Sequence, residues 1–247
     1  MDVWENECYG CVITPGLRGM CMKRIEVKEV SYSYQNKYQR IEAVKEVSCD
    51  FETGKMYAVT GESGSGKSTF LSLLAGLDCP ETGTILIDGK DLSRMDKDVY
   101  RREQVSVIYQ AFHLFPLLTA LENVMYPLEM QNMPRKEAAR EAAACLEETG
   151  LEEKVFSQYP KMMSGGEQQR VAIARAIAAK GRILLADEPT GNLDSENEEN
   201  IVEILKRLAH EKDYIVIVVT HNPEIVLQAD VRMTMKDGRM LSVQEGI

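Results

Sequence analysis

The sequence predicts an α/β fold: a mostly parallel sheet flanked by helices, with an N-terminal antiparallel β part and an inserted helical subdomain. Three observations predict it. Short aliphatic runs alternate with amphipathic helical stretches, which is the pattern of strand–helix–strand crossovers. The 247 residues are 44% apolar and 28% charged, as in a folded globular chain. The longest purely aliphatic run, Ile215 to Val219, is a buried strand in length and far short of the roughly 20 residues that span a bilayer.

The elements follow in order. Residues 25–34 alternate in polarity and 41–51 follow as a second strand. Gly54-Lys55 leads into the apolar strand Met56 to Thr60, then a Gly/Ser loop and a helix from Ser68 to Leu77. Thr84 to Asp88 reads as a strand closed by the turn Asp88-Gly89, and Val105 to Tyr109 as another. The stretch from about 111 to 165 is the inserted subdomain, with Pro134 opening an Ala/Glu-rich helix that stops near Gly150. A helix over Glu167 to Ala179, a strand over Ile183 to Ala186 and a helix over Ser195 to Glu211 come next. The strand Tyr214 to Thr220 and a hairpin around Lys236-Asp237-Gly238 complete the pattern.

Periodic sequence begins only at Met22, so the folded domain is expected over 22–247 and residues 1–21 as a disordered leader. That leader starts acidic and lacks the apolar segment of a signal peptide. It carries Cys8, Cys11 and Cys21, and Cys8-Tyr9-Gly10-Cys11 has the spacing of a redox pair or of half a zinc site. A second ligand pair is needed, and no further C-x-x-C or paired His appears. The net charge of −10, without a Lys/Arg-rich block, argues against a nucleic-acid partner. It does not exclude phosphate held in a local positive site.

Such a site is written at Gly61-Glu62-Ser63-Gly64-Ser65-Gly66-Lys67-Ser68, followed by Thr69. This is G-x-x-x-x-G-K-[ST] between an apolar strand and a helix. The glycines let backbone N–H groups wrap a phosphate at the helix N-terminus. Lys67 supplies a cation for β- and γ-phosphates, and the Ser68 hydroxyl can ligate Mg²⁺. A chance Lys-Ser in a flexible loop would not meet six specified features in this context. The strand Ile183 to Ala186 ends in Asp187-Glu188, and ligands of a parallel sheet sit at such carboxyl ends. Asp187 is expected to hold Mg²⁺ through a water and Glu188 to polarise an attacking water, so nucleotide hydrolysis is favoured over passive binding.

Between these motifs lies Met163-Ser164-Gly165-Gly166-Glu167-Gln168-Gln169-Arg170, which resembles the L-S-G-G-Q signature of ABC ATPases, with Met163 for Leu and Glu167 for Gln. The phosphate loop, the Asp-Glu strand end and the signature occur in that family's order across roughly 23–243. The resemblance implies a P-loop NTPase-type sheet and further roles. Gln110 matches the glutamine loop that touches Mg²⁺ and links to the inserted helices; His221 matches the switch histidine at the γ-phosphate. Gly191-Asn192-Leu193-Asp194 matches the loop that crosses a dimer interface, with Asp194 also an N-cap for the next helix. Tyr34, four residues after Val30, matches the aromatic that stacks on adenine, although Tyr32 and Tyr38 are nearby. It implies a homodimer in the ATP-bound state, in which Ser164, Gly165 and Gly166 of one subunit complete the site of the other. The cofactors implied are ATP and Mg²⁺.

The run Ala186 to Asp194, with Thr119 to Val124 and Tyr159-Pro160, resembles the branch serving lipoprotein release, macrolide or antimicrobial-peptide export and cell-division permeases. With no spanning helix of its own, the chain is expected to be cytoplasmic and peripheral on the inner face of the membrane, driving a separate integral-membrane permease subunit. The alternative within the branch is mechanical signalling through a membrane partner. An ABC ATPase acting on DNA or ribosomes is disfavoured by a single nucleotide domain, no long coiled coil and no basic patch.

Overall fold

A computed structural model describes residues 24–35 and 39–246; the expected leader with Cys8, Cys11 and Cys21, and Tyr38, lie outside the described residues. The antiparallel part begins with β1 (Arg24–Gln35) and β2 (Arg40–Glu52), whose ladder slips at bulges after Val27 and Val30. Glu29 and Glu46 take positive φ there (49° and 48°), so the alternation shifts and Val27 and Val30 are both buried. The chain continues through β3 (Lys55–Thr60), α1 (Lys67–Leu74), β4 (Thr82–Ile87), β5 (Lys90–Asp91), α2 (Lys97–Glu103) and β6 (Val105–Tyr109). Helices α3 (Ala120–Met130), α4 (Arg135–Glu148), α5 (Glu153–Phe156) and α6 (Gly165–Ala178) follow. Then come β7 (Ile183–Asp187), α7 (Ser195–Lys212), β8 (Ile215–Val219), α8 (Pro223–Gln228), β9 (Val231–Lys236) and β10 (Arg239–Glu245).

Two sheets result. One is antiparallel in the order β2-β1-β4-β5; the other runs β10-β9-β3-β8-β7-β6 and is parallel from β9 to β6. The predicted fold class is therefore the observed one. Helix α1 stops at Leu74 rather than Leu77, because Gly76 takes φ 66° against the buried Tyr100 ring, whose hydroxyl donates to Leu74 O at 2.8 Å. Helix α6 starts two residues before the expected Glu167, and the short helices α2 and α8 are additions to the predicted set.

Three apolar clusters hold the molecule. The first lies between the two sheets and includes Phe51, Phe70 and Tyr100. The second covers the other face of the parallel sheet, under α7. The third joins α3, α4 and α5 to one face of α6. Helix α6 serves both neighbours: Ile173 and Ala176 face the sheet cluster, while Val171, Ala174 and Ala178 face the helical one. All five residues of β8 are buried, and a buried Val or Ile contributes about 1.5–3 kcal/mol. That central strand and β7 hold Asp187 and the residues after it at one sheet edge.

Candidate functional site

The loop after β3 and the ends of β6, β7 and β8 open into one cleft of about 650 Å³. Its walls include Ser63, Gly64, Gly66, Lys67, Ser68 and Thr69 from the loop and α1, Gln110 after β6, Asp187 and Glu188 at β7, and His221 after β8. Tyr34 of β1 stands at the same cleft, with its hydroxyl 3.2 Å from Thr69 Oγ1. Tyr32 instead sends its hydroxyl to Asp78 at 3.3 Å and packs against the inter-sheet core, so of the two it is Tyr34 that reaches the cleft. Ile41, Glu42 and Ala43 of β2 also line it, and no sequence motif marks them.

The loop conformation is imposed by its surroundings. Gly66 takes φ 100°, and a Cβ there would stand 2.1 Å from the Ala43 carbonyl oxygen, so this position admits only glycine. The Lys67 ammonium folds back to donate to Gly61 O at 2.7 Å and Glu62 O at 2.9 Å, with Ser65 Oγ at 3.4 Å. Burial pulls its pKa down, against the opposing pull of the Glu188 and Asp187 carboxylates. The cation is thus held on weak carbonyl partners at the start of a helix, where an anion is a better one.

Across the cleft, Glu188 follows β7 in a left-handed conformation (φ 47°), a strained setting for a non-glycine residue. Its own N–H donates to Val219 O at 2.9 Å, which fixes it beside β8. Both carboxylate oxygens face His221: Oε2 accepts from the His221 N–H at 3.2 Å, and Oε1 lies 3.4 Å from Nε2. Gln110 is tied to the loop after β7, since Asn192 Nδ2 donates to Gln110 O at 3.1 Å and Gln110 Nε2 reaches Asn192 Oδ1 at 3.5 Å.

The residues Ser164, Gly165, Gly166 and Asp194 do not line this cleft; they form a second group. Ser164 is the N-cap of α6, in a reciprocal capping box with Glu167: Glu167 N–H donates to Ser164 Oγ at 3.2 Å and Ser164 N–H to Glu167 Oε2 at 2.7 Å. The acidic residue at the position of the signature's Gln therefore has a structural task. Gly166 lies against the Asn197 amide, and a Cβ there would stand 2.1 Å from Asn197 Oδ1 and would displace that side chain. Asp194 caps α7 by accepting from the Asn197 N–H at 3.0 Å, and that bond holds its carboxyl below the usual range. Asn197, absent from the sequence reading, links the two helix starts, since Arg170 Nη1 also donates to its Oδ1 at 3.0 Å.

Two more side chains were given no role of their own by the sequence reading. Asn123, fully buried, accepts from Phe115 N and donates to the carbonyls of Phe115, Leu118 and Thr119. Arg175 donates to His113 O at 2.8 Å and Phe112 O at 3.3 Å while its guanidinium lies 5.9 Å from the Phe115 ring centre. A lone Asn or Arg on an apolar helix face is the signal that could have found them. Arg175 also lines an apolar groove of about 330 Å³ that includes Leu77, Arg101, Phe115 and Tyr126. Among the described residues no helix is long and apolar enough to cross a membrane, and no cluster of three or more His, Cys, Asp or Glu could hold a metal unaided.

A glycine-rich loop opening a helix at the carboxyl edge of a parallel sheet, opposite two strand-end carboxylates, defines a nucleoside-triphosphate-binding protein. Residues 44–191 match the family described as ABC transporter. The chain is 38% identical over 92% of its length to YclH of Bacillus subtilis (strain 168), described as an uncharacterized ABC transporter ATP-binding protein, and covers 99% of it. It is 39% identical over 88% of its length to the macrolide export ATP-binding/permease protein MacB of Escherichia coli (strain K12), of which it spans 34%. A solved dimeric structure of MJ0796, a bacterial ABC transporter cassette, superposes with a TM-score of 0.83 at 38% identity, covering 90% of this chain and 98% of that one. A second MJ0796 structure, a dimeric post-hydrolysis state bound to ADP and Pi, matches with the same TM-score of 0.83 at 37% identity. The chain belongs to the ABC transporter family, as an ATP-binding subunit.

Proposed function

We propose that the chain hydrolyses ATP in a head-to-tail homodimer and passes the resulting motion to a separate integral-membrane permease, for export or extraction of a peptide, lipoprotein or drug. The observation that carries the reading is the division of the predicted site residues into two groups. Lys67, Ser68, Gln110, Asp187, Glu188 and His221 share one cleft, whereas Ser164, Gly165, Gly166 and Asp194 lie outside it. A second copy would bring its signature over the nucleotide, a reading supported by the dimeric structure of MJ0796.

On this reading Tyr34 stacks on the adenine, and the backbone from Gly61 to Ser68, with Thr69, cradles the phosphates. Lys67 exchanges its loop carbonyls for the β- and γ-phosphates. Ser68, Gln110 and Asp187 fit Mg²⁺, which binds through few carboxylates together with a hydroxyl, waters and substrate phosphates. The metal, when bound, would neutralise charge on the β- and γ-phosphate oxygens. Glu188 polarises the attacking water and takes its proton, while His221 leaves Glu188 to contact the γ-phosphate.

The partner would dock at the apolar groove beside Phe115 and Tyr126, since exposed apolar surface of that kind suits a protein contact. The folded unit is taken as 22–247, cytoplasmic and peripheral on the inner face of the membrane, with no nucleic-acid partner. The kinship to MacB supports export; mechanical signalling through the same groove is the second reading, with the same ATPase chemistry. The test is Glu188→Gln: ATP binding retained, a stable ATP-dependent dimer, and turnover reduced about 100-fold or more. Unchanged turnover would remove Glu188 from its role. Co-purification of a membrane subunit from native membranes supports the permease partner, and recovery of ribosomes or DNA in its place defeats it.

A further inference from the structure

Gln169 is fully buried, and among the described residues it is the one side chain whose amide oxygen and nitrogen are both buried without a hydrogen-bond partner. Of its neighbours on α6, Gln168 donates to Met163 O at 3.2 Å and Arg170 Nη1 to Asn197 Oδ1 at 3.0 Å, while Arg170 Nε is also buried without a partner. Burying a primary amide without partners is costly, and at a position closed to solvent an apolar side chain would serve a fixed structure better. An orphaned buried polar group in a native protein calls for an explanation, and a partner that arrives in another state is one.

The residue one turn earlier on the same helix face shows which segments pass close to that face. Gln169 lies one turn after Gly165 and one turn before Ile173, which is packed in the sheet cluster. A Cβ on Gly165 would stand 3.5 Å from Leu193, 3.6 Å from Asn192 O and 3.8 Å from the Phe112 ring. The loop after β7 and the segment after Gln110 thus meet over this face, and Asn192 already ties those two segments together.

We propose that Gln169 is a positioning residue for the closed dimer: its amide gains hydrogen bonds from the backbone of the 110–113 or 191–194 segment when a second subunit closes over ATP. This rests on the head-to-tail reading above. It makes the register of the signature helix responsive to Gln110, through a contact that the free chain does not make.

The experiment uses the full chain carrying Glu188→Gln, with and without Gln169→Met, and Gln169→Leu as a second apolar replacement of similar volume. Thermal unfolding without nucleotide, ATP binding to the isolated subunit, and ATP-dependent dimerisation by sedimentation are measured on each. The expected result is a Tm of the free chain that is unchanged or raised, unchanged ATP binding, and a dimer weakened about tenfold, the loss of one buried hydrogen-bonded amide. A lowered Tm in both replacements shows that the amide is already partnered in the free chain, by protein or trapped water, and overturns the inference. Full-strength dimers in both replacements overturn it as well. Failure of the Glu188→Gln chain itself to dimerise with ATP strikes the head-to-tail reading, and this inference falls with it.

Discussion

Replacing Asn123 by Ala isolates the support of the segment that follows Gln110. The side chain makes four contacts: Oδ1 accepts from Phe115 N at 2.8 Å, and Nδ2 faces the carbonyls of Phe115 at 3.2 Å and of Leu118 and Thr119 at 3.0 Å each. Two amide protons shared among three carbonyls count as two full donations, so about three hydrogen bonds are lost. At about 0.5–1.5 kcal/mol each, the expected cost is roughly 2–4 kcal/mol. For a domain of this size 1 kcal/mol moves Tm by about 2–4 °C, so the variant should melt roughly 5–15 °C lower. Differential scanning calorimetry measures the shift, with nucleotide titration in parallel. ATP affinity should hold at temperatures where the variant is folded, because the ATP cleft does not include Asn123. A shift below about 2 °C would show that the turn from Phe115 to Thr119 stands without Asn123.

Other outcomes can be stated in the same terms. Glu167→Gln should leave stability within about 0.5 kcal/mol, because Gln at this position also closes a capping box, whereas Glu167→Ala should cost about 1 kcal/mol in urea unfolding. Gly66→Ala should weaken binding of a fluorescent ATP analogue at least tenfold, since the clash is with the Ala43 backbone and positive φ alone costs a β-carbon about 1–3 kcal/mol. Burial pushes the Cys49 thiol up to about 12 and that of Cys145 up to about 11, while Cys79 is exposed. Brief alkylation of the native chain near pH 8, read by mass spectrometry, should therefore label Cys79 ahead of the other two.

What the sequence makes legible is local. The phosphate loop is readable because glycines, Lys67 and Ser68 act within eight residues, and β7 because four apolar residues precede two carboxylates. Helix α2 leaves no such trace: it has seven residues and buries one, Tyr100, so no helical period can develop. The bulges in β1 depend on the register with β2 and β4, which no single segment encodes. Nor does spacing along the chain disclose that Ser164 and Asp194 sit apart from the cleft of Lys67, or that Asn197 joins the starts of α6 and α7.

The phosphate loop is clamped by segments remote from it in the chain. Gly238 N–H donates to Ser65 O at 3.1 Å, Lys45 N–H donates to Gly238 O at 2.8 Å, and the Ala43 carbonyl closes over Gly66. A chain still on the ribosome carries its complete Walker-type loop long before the turn at Gly238 is made. The shape of the loop in the folded chain thus rests in part on that turn. Loosening the hairpin around Gly238 is therefore expected to loosen the phosphate loop, although every residue of the loop itself is intact.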